Sequence, residues 1–201
     1  MIKGLIEHIR QLVPTIDRNG QFLFFEIKKS ATTSIRRKVL KDRSIVYKDY
    51  LNKYYPIFDS YSPEDLDNIF KFTVVRNPYA RVVSAFIYLK KHNELTKQKN
   101  MDFKRFVKNV LRKQGTKTNP HFHRMANRAY FENEMFLDFV GKLENIDKDW
   151  SIISKNINGP NRLPHINKGN HSNYRDYYDD ECIKIVSRIY AEDLELFKYK
   201  F

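Results

Sequence analysis

The sequence predicts an α/β fold, a single domain in which helices flank a central, mainly parallel sheet. Two stretches carry this prediction, because each is a short apolar run that leads into a helical pattern. Residues 22–27 precede a helical pattern at 35–40, and residues 71–75 precede one at 79–91. A near-continuous apolar run such as 22–27 is typical of a strand buried on both faces of a parallel sheet. The length of 201 residues suits one domain covering 1–201.

The first 20 residues are predicted to form an amphipathic helix and a lead-in to the domain. Apolar residues recur at helical spacing between positions 2 and 13, and charged residues interrupt them. A signal peptide would need an unbroken apolar centre, and no segment reaches the ~18 apolar residues of a membrane span. The expectation is a cytoplasmic protein without a transmembrane segment.

The chain is strongly basic, with 37 lysines and arginines, 24 acidic residues and a net charge of +13. This excess favours an anionic partner such as a nucleotide, an acidic polysaccharide, a nucleic acid or a membrane surface. Cys182 is the only cysteine, which excludes an intramolecular disulfide and a multi-cysteine metal site. Its neighbours on a helical pattern predict that Cys182 packs in the core.

The turn after the first strand has the composition of an anion site. It opens the helix at 35–40, whose first N–H groups have no partner within the helix, and its lysines and hydroxyls favour a phosphate or sulfate ester. A Walker A loop is excluded, because no glycine lies between Gly20 and Gly115. The alternative is an ordinary capped helix with solvated lysines. The residues of this turn are Lys28, Lys29, Ser30, Ala31, Thr32, Thr33 and Ser34.

A second strand-to-helix junction carries a fixed cation. A nucleoside triphosphatase needs an acidic residue near such a strand end to hold magnesium, whereas this strand runs into Arg76. Ser84 lies in the second turn of the following helix, about 9 Å along from Pro78 at 1.5 Å per residue. A guanidinium and a hydroxyl can meet one phosphate across that gap, and Arg81 is a further candidate cation. The alternative makes Arg76 an ion-pair partner at the helix start and Ser84 an ordinary helix residue.

The remaining elements complete the predicted core. Ser62 is the expected cap of a short helix, and the lone Trp150 is expected in the core. Further strands are predicted at 44–47 and 139–143, further helices at 101–114, 147–157 and 179–196, and loops at 116–130 and 160–174.

Two segments together, KKSATTSIRR and FTVVRNPYARVVSAF, resemble the 5′-phosphosulfate loop and the 3′-phosphate site of sulfotransferases that use 3′-phosphoadenylyl sulfate (PAPS). More narrowly, the chain resembles the carbohydrate sulfotransferase branch related to heparan sulfate 2-O-sulfotransferase. The likeness continues in DFVGKLENI, in LPHINKGNHSNYRDYY and in Tyr190-Ala191-Glu192-Asp193. A departure is Thr32, where the family often has a small residue, because its branched side chain restricts how closely the backbone can approach a phosphate.

The resemblance implies a P-loop-like sulfotransferase fold and a set of site residues. Lys29 would stabilise the oxygen between sulfur and the 5′-phosphate, and the backbone of residues 30–34 would hold that phosphate. Arg76 and Ser84 would hold the 3′-phosphate, with Lys168 near a phosphate and no metal required. The implied acceptor is a hydroxyl, expected on a carbohydrate.

The general base is the least defined part of the predicted site. His121 and His123 lie in the polar loop 116–130, where either could deprotonate an acceptor hydroxyl or contact an anionic sugar. The alternative is a pair of exposed loop histidines. Glu26 and Tyr61 are the next candidates.

Other classes of protein stay open from the sequence. A nucleotide or small-molecule kinase shares the strand-loop-helix arrangement but should need magnesium and an acidic ligand. A basic nucleic-acid-binding protein is not expected, because the aromatic residues fall mostly at core periodicities and no RNP-type stacking motif occurs. A non-catalytic protein that binds anionic glycans is the remaining alternative.

Overall fold

The computed structural model describes residues 2–12, 14–17, 19–41, 44–45, 62–92, 94, 101–116, 119–164 and 173–201. Within them a five-stranded sheet and a two-stranded hairpin form. The strands are β1 (Thr15–Asp17), β2 (Phe22–Phe24), β3 (Ser44–Ile45), β4 (Phe70–Val75), β5 (Tyr130–Phe131), β6 (Glu134–Met135) and β7 (Phe139–Lys142).

The large sheet has the strand order β3-β1-β2-β4-β7. Strands β2 and β4 are parallel, with Phe22 opposite Phe70 and Phe24 opposite Phe72. Strand β1 runs antiparallel to both β2 and β3, so the sheet is mixed. The predicted α/β class is confirmed, and so is the parallel pairing of the two strands that precede the candidate site.

The helices begin and end close to the predicted positions. Ser62 caps its helix, accepting from the N–H of Asp65, whose carboxylate accepts from the Ser62 N–H. Two predicted helices contain π-helical turns, at Ile35–Val39 and at Val107–Leu111. The α-helices are α1 (Ile2–Leu12), α2 (Thr32–Ser34), α3 (Pro63–Asn68), α4 (Pro78–Lys91), α5 (Phe103–Phe106), α6 (Arg112–Gln114), α7 (Ile146–Asn156), α8 (Asp180–Ile189) and α9 (Ala191–Leu196).

The chain divides into two compact units, and its extent as a single domain over 1–201 stays a prediction. The first unit comprises Met1–Ile27, Ala31–Val74 and Asn127–Ile166. The second unit comprises Lys28–Ser30, Val75–Ala126 and Asn167–Phe201. The chain therefore passes from the first unit to the second after Ile27, beyond the end of β2, and after Val74, one residue before the end of β4.

The core of the first unit is an aromatic layer on the sheet. The rings of Phe24 and Phe72, on neighbouring strands, stack with their centroids 5.0 Å apart. Trp150 is buried, and its indole N–H donates to the Pro160 carbonyl oxygen at 2.8 Å, which confirms its predicted core position. The aromatic residues of β2 and β4 therefore form the centre of this core.

The core of the second unit forms around α4. Phe86 on this helix packs against Phe103 and Phe106, with ring centroids 5.5 and 5.3 Å apart. Cys182 on α8 is fully buried in the same cluster, which confirms its predicted packing role. Its thiol has a pKa raised to about 12, first of all by burial, so it remains protonated at neutral pH.

The last helical pattern differs from the prediction of one helix over 179–196. The helix breaks at Tyr190, whose backbone leaves the helical region with φ −110° and ψ 26°, so α8 and α9 are separate. The Tyr190 hydroxyl donates to the Phe122 carbonyl oxygen at 2.9 Å, and the break accompanies full burial of Asp193. The apolar spacing alone does not reveal a buried carboxylate on this segment.

Candidate active site

The two predicted junctions follow the carboxyl ends of β2 and β4, which are parallel neighbours. Residues of both junctions belong to the second unit, namely Lys28–Ser30 and the segment beginning at Val75. Within that unit, a guanidinium nitrogen of Arg76 (Nη1) donates to the Lys29 carbonyl oxygen at 3.2 Å. This hydrogen bond joins the first basic turn directly to the cation of the second.

The first turn is built without glycine, although two of its residues have left-handed backbones. Lys29 has φ 71° and Ala31 has φ 58°. A non-glycine residue in this region costs on the order of 1–3 kcal/mol, and such strain concentrates at functional sites. The strained turn therefore agrees with a role beyond capping a helix.

Thr32 closes this turn through its hydroxyl. Within the first unit its Oγ1 donates to the Ile27 carbonyl oxygen at 2.7 Å, and the side chain is buried. The hydroxyl is therefore committed to the backbone, which leaves the N–H of Thr32 as the group that can serve an anion. The branched side chain that departs from the family pattern thus has a structural use.

We expect Thr32→Val to lower the free energy of unfolding by about 1–3 kcal/mol, because it leaves the buried Ile27 carbonyl without this donor. Urea denaturation monitored by circular dichroism measures the change. Thr33→Val is the matched control, since it makes the same substitution one residue away and is expected to change the stability much less. Equal losses from the two variants would contradict the role of the Thr32 hydroxyl.

Ser30 has a fully buried hydroxyl. Among the residues that the structure describes, its Oγ has no hydrogen-bond partner. Buried polar atoms are nearly always paired, so this hydroxyl is an exception that a ligand oxygen would explain. Ser30 follows Lys29 directly, at the point expected to contact a phosphosulfate.

Lys29 lies in a partly desolvated and electropositive environment. Its ammonium nitrogen is 4.3 Å from the centroid of the Tyr88 ring on α4, a cation–π distance. Burial, and after it the charge of Arg76, lowers the pKa of Lys29 to about 8. An anion placed beside Lys29 and Arg76 would relieve this repulsion.

His121 contacts the same tyrosine ring as Lys29. Its ring centroid is 4.8 Å from that of Tyr88. Burial, followed by the charges of Lys29, Lys28 and Arg81, lowers the pKa of His121 to about 4. The imidazole is therefore neutral at pH 7, and within the described part of the chain its buried Nδ1 has no hydrogen-bond partner.

The structure describes three further residues that the sequence suggested for the site, Ser84, Arg81 and Glu26. Ser84 lies in the second turn of α4, as expected, while Arg81 is buried and donates to the carbonyl oxygens of His121 and His123. Arg81 therefore does not serve as the further phosphate cation. The Glu26 carboxylate accepts from the Thr15 hydroxyl at 2.7 Å and is 3.5 Å from the Arg36 guanidinium. Tyr61 and Lys168 lie outside the described residues.

Asp193, to which the sequence patterns assign no role, is fully buried and lies 4.0 Å from the Arg81 guanidinium. Its signal in the sequence is the segment Tyr190 to Asp193, which carries part of the family resemblance. Among the described residues, no group of three or more histidine, cysteine, aspartate or glutamate side chains is placed to hold a metal ion. No helix in the described part of the chain is both long and apolar enough to span a membrane.

An α/β sheet in which each of two parallel neighbouring strands leads into a basic turn is typical of proteins that bind anions. The model of the sulfotransferase family matches residues 14–200, so the chain belongs to that family. A similar protein from Archaeoglobus fulgidus, described only as uncharacterized, is 30% identical over 110 residues, which cover 54% of this chain and 85% of that protein. No solved structure matches the chain. The protein is therefore an enzyme of sulfuryl transfer.

Proposed function

We propose that the enzyme transfers a sulfuryl group from PAPS to a hydroxyl of a carbohydrate, as in the branch related to heparan sulfate 2-O-sulfotransferase. The supporting observation is the hydrogen bond from Arg76 to the Lys29 carbonyl. This hydrogen bond brings the two basic junctions close together, so that one nucleotide with two anionic groups could contact both. The charge of Arg76 also contributes to the lowered pKa of Lys29, so the two cations share one electrostatic environment.

Each junction then holds one end of the nucleotide. The backbone N–H groups of residues 30–34 and the Ser30 hydroxyl bind the 5′-phosphate. Arg76 and Ser84 bind the 3′-phosphate, which distinguishes PAPS from other adenylates, and Lys168 is proposed near a phosphate. Fixed cations take the place that magnesium has in nucleoside triphosphatases.

The reaction exchanges one sulfur–oxygen bond for another. The acceptor hydroxyl oxygen attacks sulfur, the bond from sulfur to the 5′-phosphate oxygen breaks, and the acceptor proton passes to a histidine. The products are a sulfate ester and adenosine 3′,5′-bisphosphate. Transfer of this kind depends on positioning and on charge stabilisation, so Lys29 acts where negative charge develops on the bridging oxygen.

His121 and His123 are the proposed acceptors of that proton. His121 is favoured by its contact with Tyr88, the ring over which the Lys29 ammonium lies. Its low pKa keeps it unprotonated but makes it a weak base in the free enzyme. A bound anionic nucleotide would offset the charges of Lys28 and Lys29, and the pKa of His121 would then rise toward the value of a useful base.

The carbohydrate acceptor is proposed from the family branch and the charge of the chain. A net charge of +13 favours an anionic polymer over a neutral small molecule. Incubation with radiolabelled PAPS and a panel of glycans should label an acidic polysaccharide. Labelling of neutral small molecules alone would contradict the acidic polysaccharide as acceptor and would indicate another branch of the family.

Calorimetric titration with adenosine 3′,5′-bisphosphate, with and without magnesium, tests the donor. We expect binding that is independent of magnesium and much tighter than that of AMP. A kinase would instead bind ATP in a magnesium-dependent way. Failure to bind the bisphosphate under either condition would overturn PAPS as the donor.

The affinity for adenosine 3′,5′-bisphosphate should fall as the pH rises through the pKa of Lys29. The phosphates are already ionised at pH 7, whereas the protonated fraction of Lys29 falls about tenfold between pH 7 and 9 for a pKa of about 8. Calorimetry should therefore show a Kd up to about tenfold higher at pH 9. The variant Lys29→Met should lose most of this dependence, and an unchanged pH profile in that variant would assign the dependence to another group.

A further inference from the structure

A buried ion pair in the second unit contacts the backbone of the segment that contains the candidate base. The Arg81 guanidinium is 1% exposed and the Asp193 side chain is not exposed, with Nη2 and Oδ2 separated by 4.0 Å. The Arg81 guanidinium also lies 5.4 Å from the centroid of the Tyr190 ring. Burial raises the pKa of Asp193, while Arg81 and two backbone hydrogen bonds oppose that shift.

Both members of the pair direct their hydrogen bonds to one short segment. Arg81 donates from Nη2 to the His123 carbonyl oxygen at 2.6 Å and from Nη1 to the His121 carbonyl oxygen at 3.4 Å. The two Asp193 oxygens accept from the backbone N–H groups of Met125 and Ala126 at 3.0 and 2.9 Å. Four backbone groups between residues 121 and 126 are thus fixed by two side chains distant in sequence.

A gain in stability does not explain this arrangement well. Two charges removed from water lose solvation that their mutual attraction often only offsets, and apolar residues of similar size commonly serve a core equally well. A buried arginine and a buried carboxylate do add directional hydrogen bonds, each of which fixes the position of one backbone group. The four hydrogen bonds described above all fix backbone groups of the segment that contains the two histidines.

We propose that Arg81 and Asp193 are positioning residues, which hold segment 121–126 so that the His121 ring stays against Tyr88 and near Lys29. The backbone carbonyl of His121 is itself one of the anchored groups, and the His121 ring contacts Tyr88 at a centroid distance of 4.8 Å. Loosening the segment would move the imidazole away from the lysine without removing a group that contacts the nucleotide. The proposal deepens the proposed function, since the catalytic use of His121 rests on it.

Asp193→Asn tests this with little change in size. The amide offers one oxygen and one NH2 group to two N–H donors, and it leaves Arg81 without a counter-charge. NMR titration of the His121 imidazole, assigned with His121→Gln, should show its pKa rising toward 6.5 by about one unit or more as burial is lost. In the same variant kcat should fall at least about tenfold, while the Kd of adenosine 3′,5′-bisphosphate changes less than about twofold.

Glu195→Gln is the matched control, because it makes the same change of carboxylate to amide two residues further along α9. Glu195 is exposed and lies outside the contacts that anchor segment 121–126. The control should leave the pKa of His121 and the activity unchanged. An unchanged pKa of His121 in a folded Asp193→Asn protein would overturn the proposal.

Arg81→Lys provides a second variant if Asp193→Asn does not fold. It keeps the charge next to Asp193 but cannot donate in a fork to two carbonyl oxygens, so the pKa of His121 should again rise. If neither variant folds, the pair serves the fold alone and the positioning role is overturned. The NMR measurement needs no nucleotide, so failure of wild-type protein to bind adenosine 3′,5′-bisphosphate would reject the proposed donor and still leave this inference decided.

Discussion

Lys29→Ala is expected to lower kcat by at least ~100-fold, the scale of losing one donor to charge that develops in a transition state. When the bond between sulfur and the 5′-phosphate oxygen breaks, negative charge develops on that oxygen. Lys29 is the cation proposed to stabilise this charge. The ammonium lies over the Tyr88 ring and is joined through its own backbone to Arg76. Steady-state kinetics with saturating PAPS measures the effect, and circular dichroism checks the fold.

Lys91→Ala is a suitable control for this variant. Lys91 is an exposed lysine in the last turn of α4, and its removal should leave kcat unchanged. Lys29→Arg should recover only part of the rate, because a planar guanidinium cannot take the place of a compact ammonium over Tyr88. A near-normal kcat for Lys29→Ala would remove Lys29 from the chemical step.

The main strands and helices could be predicted because their sequences combine burial with clear boundaries. The apolar run before Lys28 contains β2, and the strand before Arg76 is β4; the two are parallel neighbours in the sheet. Strand β1 was missed, because Thr15–Asp17 is only three residues long and too short to show a period. Burial of all three residues follows from sheet pairing that no local pattern reveals.

The candidate site was predictable where chemistry follows a strand end and unpredictable where it depends on long-range contacts. Lys29 and Arg76 could be named because Lys29 lies in the basic turn after the apolar run 22–27 and Arg76 directly follows β4. The pairing of Arg81 with Asp193 joins residues more than 100 positions apart, and no local pattern distinguishes a buried arginine from an exposed one. The left-handed backbone of Lys29 could not be predicted from the sequence either, because that conformation is usually associated with glycine.

Arg76→Ala is expected to raise the Kd of adenosine 3′,5′-bisphosphate by about 10- to 100-fold, the range for losing a hydrogen bond to a charged group. The Kd of AMP, which lacks the 3′-phosphate, should change less than about threefold. Competition calorimetry on the two ligands gives both values. Arg105→Ala, which removes an exposed arginine, should leave both values unchanged.

The comparison of the two nucleotides separates the two roles that Arg76 can have. The first role is the proposed contact with the 3′-phosphate, and the second is support, through the hydrogen bond to the Lys29 carbonyl, of the turn proposed to hold the 5′-phosphate. Loss of that support would weaken both ligands, whereas loss of a 3′-phosphate contact weakens only the bisphosphate. Arg76→Lys adds a further distinction, since it keeps the charge but loses the forked donors, and it should restore part of the affinity for the bisphosphate. An equal loss for AMP and the bisphosphate would reduce Arg76 to a support of the Lys29 turn and require the 3′-phosphate site to lie elsewhere.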